Sequence, residues 1–283
     1  MTGDKVILTC AMSGAVTTRK QCPAIPYTVE DYAAEAKRAF DAGAAVVHIH
    51  AREDDGQPTY SAQRYRAIAA AIGEACPILL NFSTGAIGMP IEDRVAHIVE
   101  VRPHIGALNM GSMNYAKYSE KRRDFVFEFV FSNPFHEIIW LLRKMNESGV
   151  KPELECFDTG HVASAGPLLH MEVLRPPLDF SLIMGVDGGI PATARHLAFQ
   201  AQNLPAGSTW KVIGISRDQW MLAGAALSLG GHVRIGLEDN FYLPDGEMAR
   251  SNGDLVAQAA TMARSVGREV ATVDEAKSML GIA

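Results

Sequence analysis

Two histidines one residue apart stand in the run Val46-Val47-His48-Ile49-His50-Ala51-Arg52-Glu53-Asp54-Asp55-Gly56. The apolar, β-branched start of this run reads as a strand. Successive side chains of a strand point to opposite faces, so His48 and His50 share one face while Val47 and Ile49 take the other. Two imidazoles then converge on one point. Imidazole suits zinc, which in catalytic sites takes three protein ligands and keeps a fourth position open. Without a third ligand the pair reads equally as histidines hydrogen-bonded in a closed interior. The charges that follow, Arg52 to Asp55, read as a solvated turn ending at Gly56.

A second polar stretch, Gly230-Gly231-His232-Val233-Arg234-Ile235-Gly236-Leu237-Glu238-Asp239-Asn240, puts a cation and two carboxylates at a strand exit. Whether it can meet the histidines depends on the elements between. Val6 to Cys10 is a strand running into Ser13-Gly14-Ala15, and Thr28 with Glu30 and Asp31 opens a helix through Phe40 that Gly43 stops. The alternation recurs with strands over 46–50, 78–82 and 106–110 and helices over 62–75 and 91–101. Four more strands follow, over 152–157, 180–185, 210–215 and 232–236, each with a helical segment behind it. The alternating apolar stretch Asp124 to Phe131 interrupts the rhythm as an insertion after strand four, before a helix that Pro134 opens and Gly149 closes. Residues 267–283 form a short C-terminal extension with a helix over 273–280. Eight such units of about 30 residues, with no linker between them, predict an α/β fold, a single (β/α)8 TIM barrel over 1–283, rather than an open sheet.

In a closed eight-stranded barrel, strands two and eight both flank strand one, and function gathers where strands leave their carboxyl ends. Glu238 can therefore reach His48 and His50, completing a His-His-Glu set of the kind zinc takes; oxygen-only ligation would favour magnesium. The competing reading of Glu238 and Asp239 is a solvated loop or a salt bridge to Arg234, and Arg234 itself reads as a barrel-closing ion pair or a substrate-binding cation. Ser83-Thr84-Gly85, ending strand three, can offer backbone N–H groups to a carboxylate. Strand four carries Asn109 and Ser112, and strand five Glu153, Glu155 and Asp158.

Composition excludes several partners. With 283 residues, 48% hydrophobic, and a formal net charge of −6, the chain has the makings of a large core and no global basic field for nucleic acid or an anionic membrane. No apolar run reaches the roughly 20 residues of a membrane span, and no signal-peptide pattern opens the chain, which predicts a cytoplasmic protein. Its four cysteines form no CxxC pair and read as free thiols.

Taken in order, Ser13-Gly14-Ala15, the stretch Ala42 to Gly56, Asn81-Phe82-Ser83-Thr84-Gly85, Pro152 to Asp158, Gly230 to Asn240 and Ser251-Asn252 resemble the β-keto acid cleavage enzymes along essentially the whole chain. The resemblance implies a (β/α)8 barrel holding a divalent metal, usually zinc, that converts a β-keto acid and acetyl-CoA into acetoacetate and a new acyl-CoA. It also implies His48, His50 and Glu238 as metal ligands, Asp239 as the catalytic base supported by Arg234, and Ser83, Thr84, Gly85, Asn109 and Arg234 around the substrate. A homo-oligomer, commonly a tetramer, is implied as well. Members acting on 3-keto-5-aminohexanoate carry a glutamate where this chain has Val16, and a threonine where it has Ala107. An ammonium would lose its partner here, so the expected substrate has an uncharged or anionic tail.

The alternatives are a metal hydrolase on the same fold, whose His-x-His lies on strand one, and a non-catalytic barrel binding an acyl-CoA or metabolite. No P-loop or GxGxxG marks a CoA site. The loops Gly185 to Gly189 and Gly214 to Arg217, after strands six and seven, read either as phosphate or pantetheine contacts or as plain turns.

Overall fold

The computed structural model describes residues 5–86 and 88–282. Short strands buried on both faces alternate with amphipathic helices, the arrangement a parallel sheet covered by helices requires. The first half runs β1 (Leu8–Ala11), α1 (Val29–Asp41), β2 (Val46–Ile49), α2 (Ala62–Ala75), β3 (Leu79–Ser83), α3 (Ile91–Val101) and β4 (Ile105–Asn109). Thr28 caps α1 in a reciprocal box with Asp31, and the helix presents Tyr32, Ala36 and Ala39 to the barrel. The stops are as local: α3 ends on Arg102 in the left-handed region.

The excursion after β4 is one arm of an antiparallel hairpin, β5 (Met113–Ser119) with β6 (Asp124–Phe131). The chain then returns through α4 (Phe135–Ser148), which begins after Pro134 and closes on Gly149, to β7 (Lys151–Cys156). Two short helices, α5 (Thr159–Ala163) and α6 (Ala165–His170), stand where one was expected. The rest is β8 (Asp179–Met184), α7 (Ala194–Gln202), β9 (Thr209–Gly214), α8 (Gln219–Ser228), β10 (His232–Ile235), α9 (Asn252–Ser265) and α10 (Val273–Leu280).

Eight parallel strands close into a barrel in the order β1-β10-β9-β8-β7-β4-β3-β2. The C-terminal extension has a definite task. Leu280 of α10 packs with Ile7, Val46, Leu79 and Ile105 at the amino ends of the strands, closing that end with apolar side chains. The opposite end is left for polar groups.

Candidate metal and acid–base centre

The closure order puts β2 and β10 on either side of β1, in register Cys10↔Ile235 and Ala11↔His48. Two glycines let the β10 exit cross over β1 to the histidines. At Gly236 (φ +142) a Cβ would stand 2.1 Å from the Ala11 carbonyl oxygen, and at Gly14 (φ +61) it would stand 2.8 Å from Cγ of Glu238. The Glu238 N–H donates to the Ala11 carbonyl at 3.1 Å. Asn252, fully buried at the start of α9, ties the two exits together: its Oδ1 accepts from the Leu237 N–H and its Nδ2 donates to the Met12 carbonyl.

Glu238 then faces both imidazoles. Its Oε2 lies 3.7 Å from Nε2 of His48 and its Oε1 3.5 Å from Nε2 of His50, with the two rings edge to face at 5.2 Å. The three donor groups fall within 4.8 Å of one another. Ligands about 2.1 Å from a tetrahedral zinc are about 3.4 Å apart, so the carboxylate-to-imidazole separations suit one ion. Glu238 Oε2 is also buried without a hydrogen-bond partner among the described residues. An orphaned carboxylate oxygen beside two imidazole nitrogens is what a cation-binding set looks like, and the residues fit a divalent metal. Burial pushes His48 down to about 3, with Arg234 adding to it, so this imidazole is neutral and free to donate its lone pair.

Arg234 organises the acid–base groups. Its Nε and Nη2 grip Asp239 in a fork, each at 3.0 Å, while Nη2 reaches Glu238 at 2.6 Å and Nη1 reaches Glu155 at 3.3 Å. Three carboxylates therefore surround one guanidinium. Burial raises Asp239 to about 6 against the pull of Arg234, with Glu238 adding to the rise. Burial likewise raises Glu155 to about 8. Glu238 goes the other way: burial alone would raise it, but Arg234 and the two imidazoles hold it well below the usual carboxylate range.

The other sequence-read residues have mixed placements. Ser83 is buried, with its Oγ accepting from the Gly85 N–H at 3.0 Å. Asn109 is buried with its Nδ2 unpartnered among the described residues. Thr84 turns its hydroxyl to the Ala107 carbonyl at 2.6 Å, away from the barrel mouth. Val16 is 79% exposed, on the loop beyond Gly14. Asp158 caps α5, and Ser112 Oγ accepts from the Asn133 N–H. The loop after β8 is taken up by the hairpin, since Asp187 bridges Ala116 and accepts from the Tyr118 N–H. In the loop after β9, Ser216 takes a positive φ and donates its N–H to the Asp239 carbonyl, and Arg217 lies over the Tyr242 ring at 4.2 Å.

One sequence reading is overturned. Arg52 is not part of a solvated turn; it is 2% exposed, and its guanidinium donates to the carbonyls of Gly14, Thr17 and Gly56 at 2.6–2.7 Å, fixing the loop that packs on Glu238. Two site residues went unassigned by sequence reasoning. Glu155 had a visible signal in the alternation Glu153, Glu155 along β7. Tyr115 of the hairpin had none; burial together with the Glu238, Asp239 and Glu155 carboxylates raises its phenol to about 12.

A closed parallel barrel with a His-His-Glu set that could hold a metal ion, and a guanidinium-bound carboxylate beside it, defines a TIM barrel with an enzyme-like site at one rim. More narrowly, the family description "beta-keto acid cleavage enzyme" matches residues 5–282, and the chain belongs to that family. It is 40% identical over 281 residues to the 3-keto-5-aminohexanoate cleavage enzyme of Acetoanaerobium sticklandii, covering 99% of each chain. It is 32% identical over 280 residues to the 3-oxoadipate:acetyl-CoA acetyltransferase of Cupriavidus necator, covering 98% of this chain and 94% of that one. Among solved structures it resembles apo ObcA in fold, with a TM-score of 0.78 at 21% identity, covering 92% of this chain and 66% of ObcA. The hydrolase alternative falls with this membership. The two histidines considered for that alternative are engaged elsewhere: His104 Nδ1 accepts from the Leu80 N–H and His161 Nδ1 from the Phe157 N–H. Among the described residues no helix is long and apolar enough to cross a membrane.

Proposed function

We propose that the protein condenses a β-keto acid with acetyl-CoA and splits the adduct into acetoacetate and a new acyl-CoA. The observation that carries this reading is the convergence of His48, His50 and Glu238 beside the Arg234-bound Asp239 at the carboxyl ends of the strands. When held by His48, His50 and Glu238, a divalent ion, zinc by its nitrogen and oxygen donors, supplies Lewis-acid polarisation of a keto oxygen.

The chain's own residues account for the proton and the charge. Asp239 takes the C2 proton of the β-keto acid, and Arg234 holds that carboxylate in place through both its oxygens. The C2 electron pair forms a bond to the acetyl carbonyl carbon, and the CoA thiolate leaves. The thiolate then attacks the former keto carbon; the C2–C3 bond breaks, and its electron pair stays with the acetoacetate fragment, which recovers the proton from Asp239. Oxyanions form at the two carbonyl additions and need fixed donors. Ser83, with Gly85 and Asn109 close by, orients the substrate carboxylate. Arg234 already directs its fork at three carboxylates, so its part is to support the base rather than to bind substrate alone.

With Val16 replacing a carboxylate, the reading favours a β-keto acid with an uncharged or anionic tail over 3-keto-5-aminohexanoate. It also includes a homo-oligomeric assembly, which sedimentation measures directly. The deciding experiment couples acetoacetate release to a panel of β-keto acids plus acetyl-CoA, with metal analysis, on wild type and His48→Ala. Acetyl-CoA-dependent acetoacetate and a metal lost with His48 are expected. Bound metal without turnover of any panel member would favour a binding protein, and thioester exchange surviving metal loss would break the mechanism.

A further inference from the structure

Three successive carbonyls at the exit of β3 are held from outside the barrel. His97 Nε2 donates to the Ser83 carbonyl at 2.8 Å, Arg94 Nε to the Thr84 carbonyl at 3.2 Å, and the Tyr60 hydroxyl to the Gly85 carbonyl at 2.6 Å. A trans peptide carries its N–H opposite its C=O. The grip of Arg94 therefore turns the Gly85 N–H to the barrel side, where it meets Ser83 Oγ, and the grip of Tyr60 fixes the next peptide plane. Asn109 Nδ2, buried and unpartnered among the described residues, lies on that side too, 3.7 Å from where a Gly85 Cβ would stand.

The three holders are themselves fixed. The fully buried His97 ring stacks on Tyr65 at 4.1 Å. Arg94, 4% exposed, also donates to Glu137 Oε2 at 3.0 Å and Asn133 Oδ1 at 3.1 Å, tying the β3 exit to α4 and to the foot of the hairpin. Each of the three spends a polar group on a backbone carbonyl of the segment.

We propose that Tyr60, Arg94 and His97 are positioning residues that turn the Ser83–Gly85 segment so that the Ser83 hydroxyl, held by the Gly85 N–H, and Asn109 Nδ2 receive the carboxylate of the β-keto acid. The inference rests on the proposed reaction for its ligand, and a carboxylate is the acceptor that such a pair of donors selects.

Tyr60→Phe, His97→Phe, His97→Gln and Arg94→Lys test it. Tyr60→Phe deletes one hydroxyl from a half-buried ring and is the variant expected to fold without difficulty. In Tyr60→Phe and His97→Phe, KM for the β-keto acid rises about tenfold, the effect of one lost hydrogen bond. KM for acetyl-CoA and bound metal stay at wild-type values, a split that general loosening of the fold would not produce. His97→Gln, which keeps a donor, recovers part of the loss. Arg94→Lys costs more, since an ammonium cannot span three partners. Wild-type KM in folded Tyr60→Phe, or equal rises for both substrates, overturns the proposal. Titration with acetoacetate alone separates it from the reaction itself. Wild type that binds acetoacetate without turning over acetyl-CoA sinks the transferase reading and leaves the positioning claim to be judged by the variants' affinities; wild type that binds none sinks both.

Discussion

The barrel interior holds two buried ion clusters one above the other, built of similar groups to different ends. In the lower one Lys211 bonds Asp179 at 2.7 Å and faces Glu153 at 3.5 Å, while Glu153 also accepts from Asn81 and Ser181. In the upper one Arg234 serves Asp239, Glu238 and Glu155. The lower cluster has two carboxylates to one cation and sits directly over the apolar end that α10 closes. The upper has three to one, with Glu238 Oε2 and His48 Nδ1 unpartnered among the described residues. Burial raises one carboxylate below, Asp179, while Lys211 holds Glu153 down; above, burial raises both Asp239 and Glu155, with the neighbouring carboxylates adding to the rise. Among the described residues the lower cluster also leaves Asn81 Oδ1 without a partner, but the upper carries one more carboxylate for its cation, a charge that a dication held by His48, His50 and Glu238 would offset.

The sharpest way to break that contrast is Asp239→Asn. If the upper cluster serves chemistry, turnover falls by about 10² to 10⁴, the usual range for a lost general base, while bound metal stays. Removing one of three crowded carboxylates leaves thermal stability unchanged or higher. Steady-state assay with metal analysis and thermal unfolding reads both, and a large loss of stability would make the two clusters alike.

Lys211→Met tests the other half. It strands Glu153 and Asp179 without a cation, which costs about 3–5 kcal/mol of folding stability, while the metal set above remains in place. Denaturant unfolding measures the loss. Burial would pull Lys211 down, but Asp179 and Glu153 hold it above its usual value. A group whose folded pKa is raised contributes fully below its unfolded pKa and loses that contribution only as pH rises through the folded value. The Lys211 contribution is therefore present in full at neutral pH and lost only in strong alkali, while on the acid side the gap between wild type and Lys211→Met narrows, because the stranded Glu153 and Asp179 take up protons.

The same contrast marks what the sequence could tell. Local chemistry names its own boundaries: α2, α3 and α10 lie where capping and breaking residues put them, and the Thr28 cap was legible in Thr28 and Asp31. Period-two alternation put His48 and His50 on one face, and barrel closure brought Glu238 to them. Arg52 misled because its acceptors are carbonyls up to 38 residues away, and a carbonyl has no sequence signature. The hairpin was legible as an insertion after strand four, but not in its orientation. Phe125, Val126, Phe127 and Val130 are all exposed, so both its faces are apolar and alternation cannot say which one turns inward with Tyr115. The holders of the β3 exit escaped notice because Arg94 and His97 look like any polar residues of an amphipathic helix.

The smallest effect is expected where the upper region meets solvent. Val16 follows the Gly14 turn that packs on Glu238, but at 79% exposure it lines a wet rim rather than a dry pocket. A bare ammonium there keeps most of its hydration, so absence of a counter-charge costs less than the sequence argument supposed, and the gain from restoring one is limited in the same way. Solvent-exposed ion pairs contribute roughly 0–1 kcal/mol, so Val16→Glu shifts the ratio of kcat/KM between 3-keto-5-aminohexanoate and 3-oxoadipate by about fivefold at most. Part of the shift comes from repelling the second carboxylate of 3-oxoadipate, and it shrinks as salt is added. A much larger, salt-insensitive shift would mean that Val16 is covered when substrate is bound, and that the rim belongs with the desolvated cluster beneath it; no shift at all would remove Val16 from the substrate's surroundings.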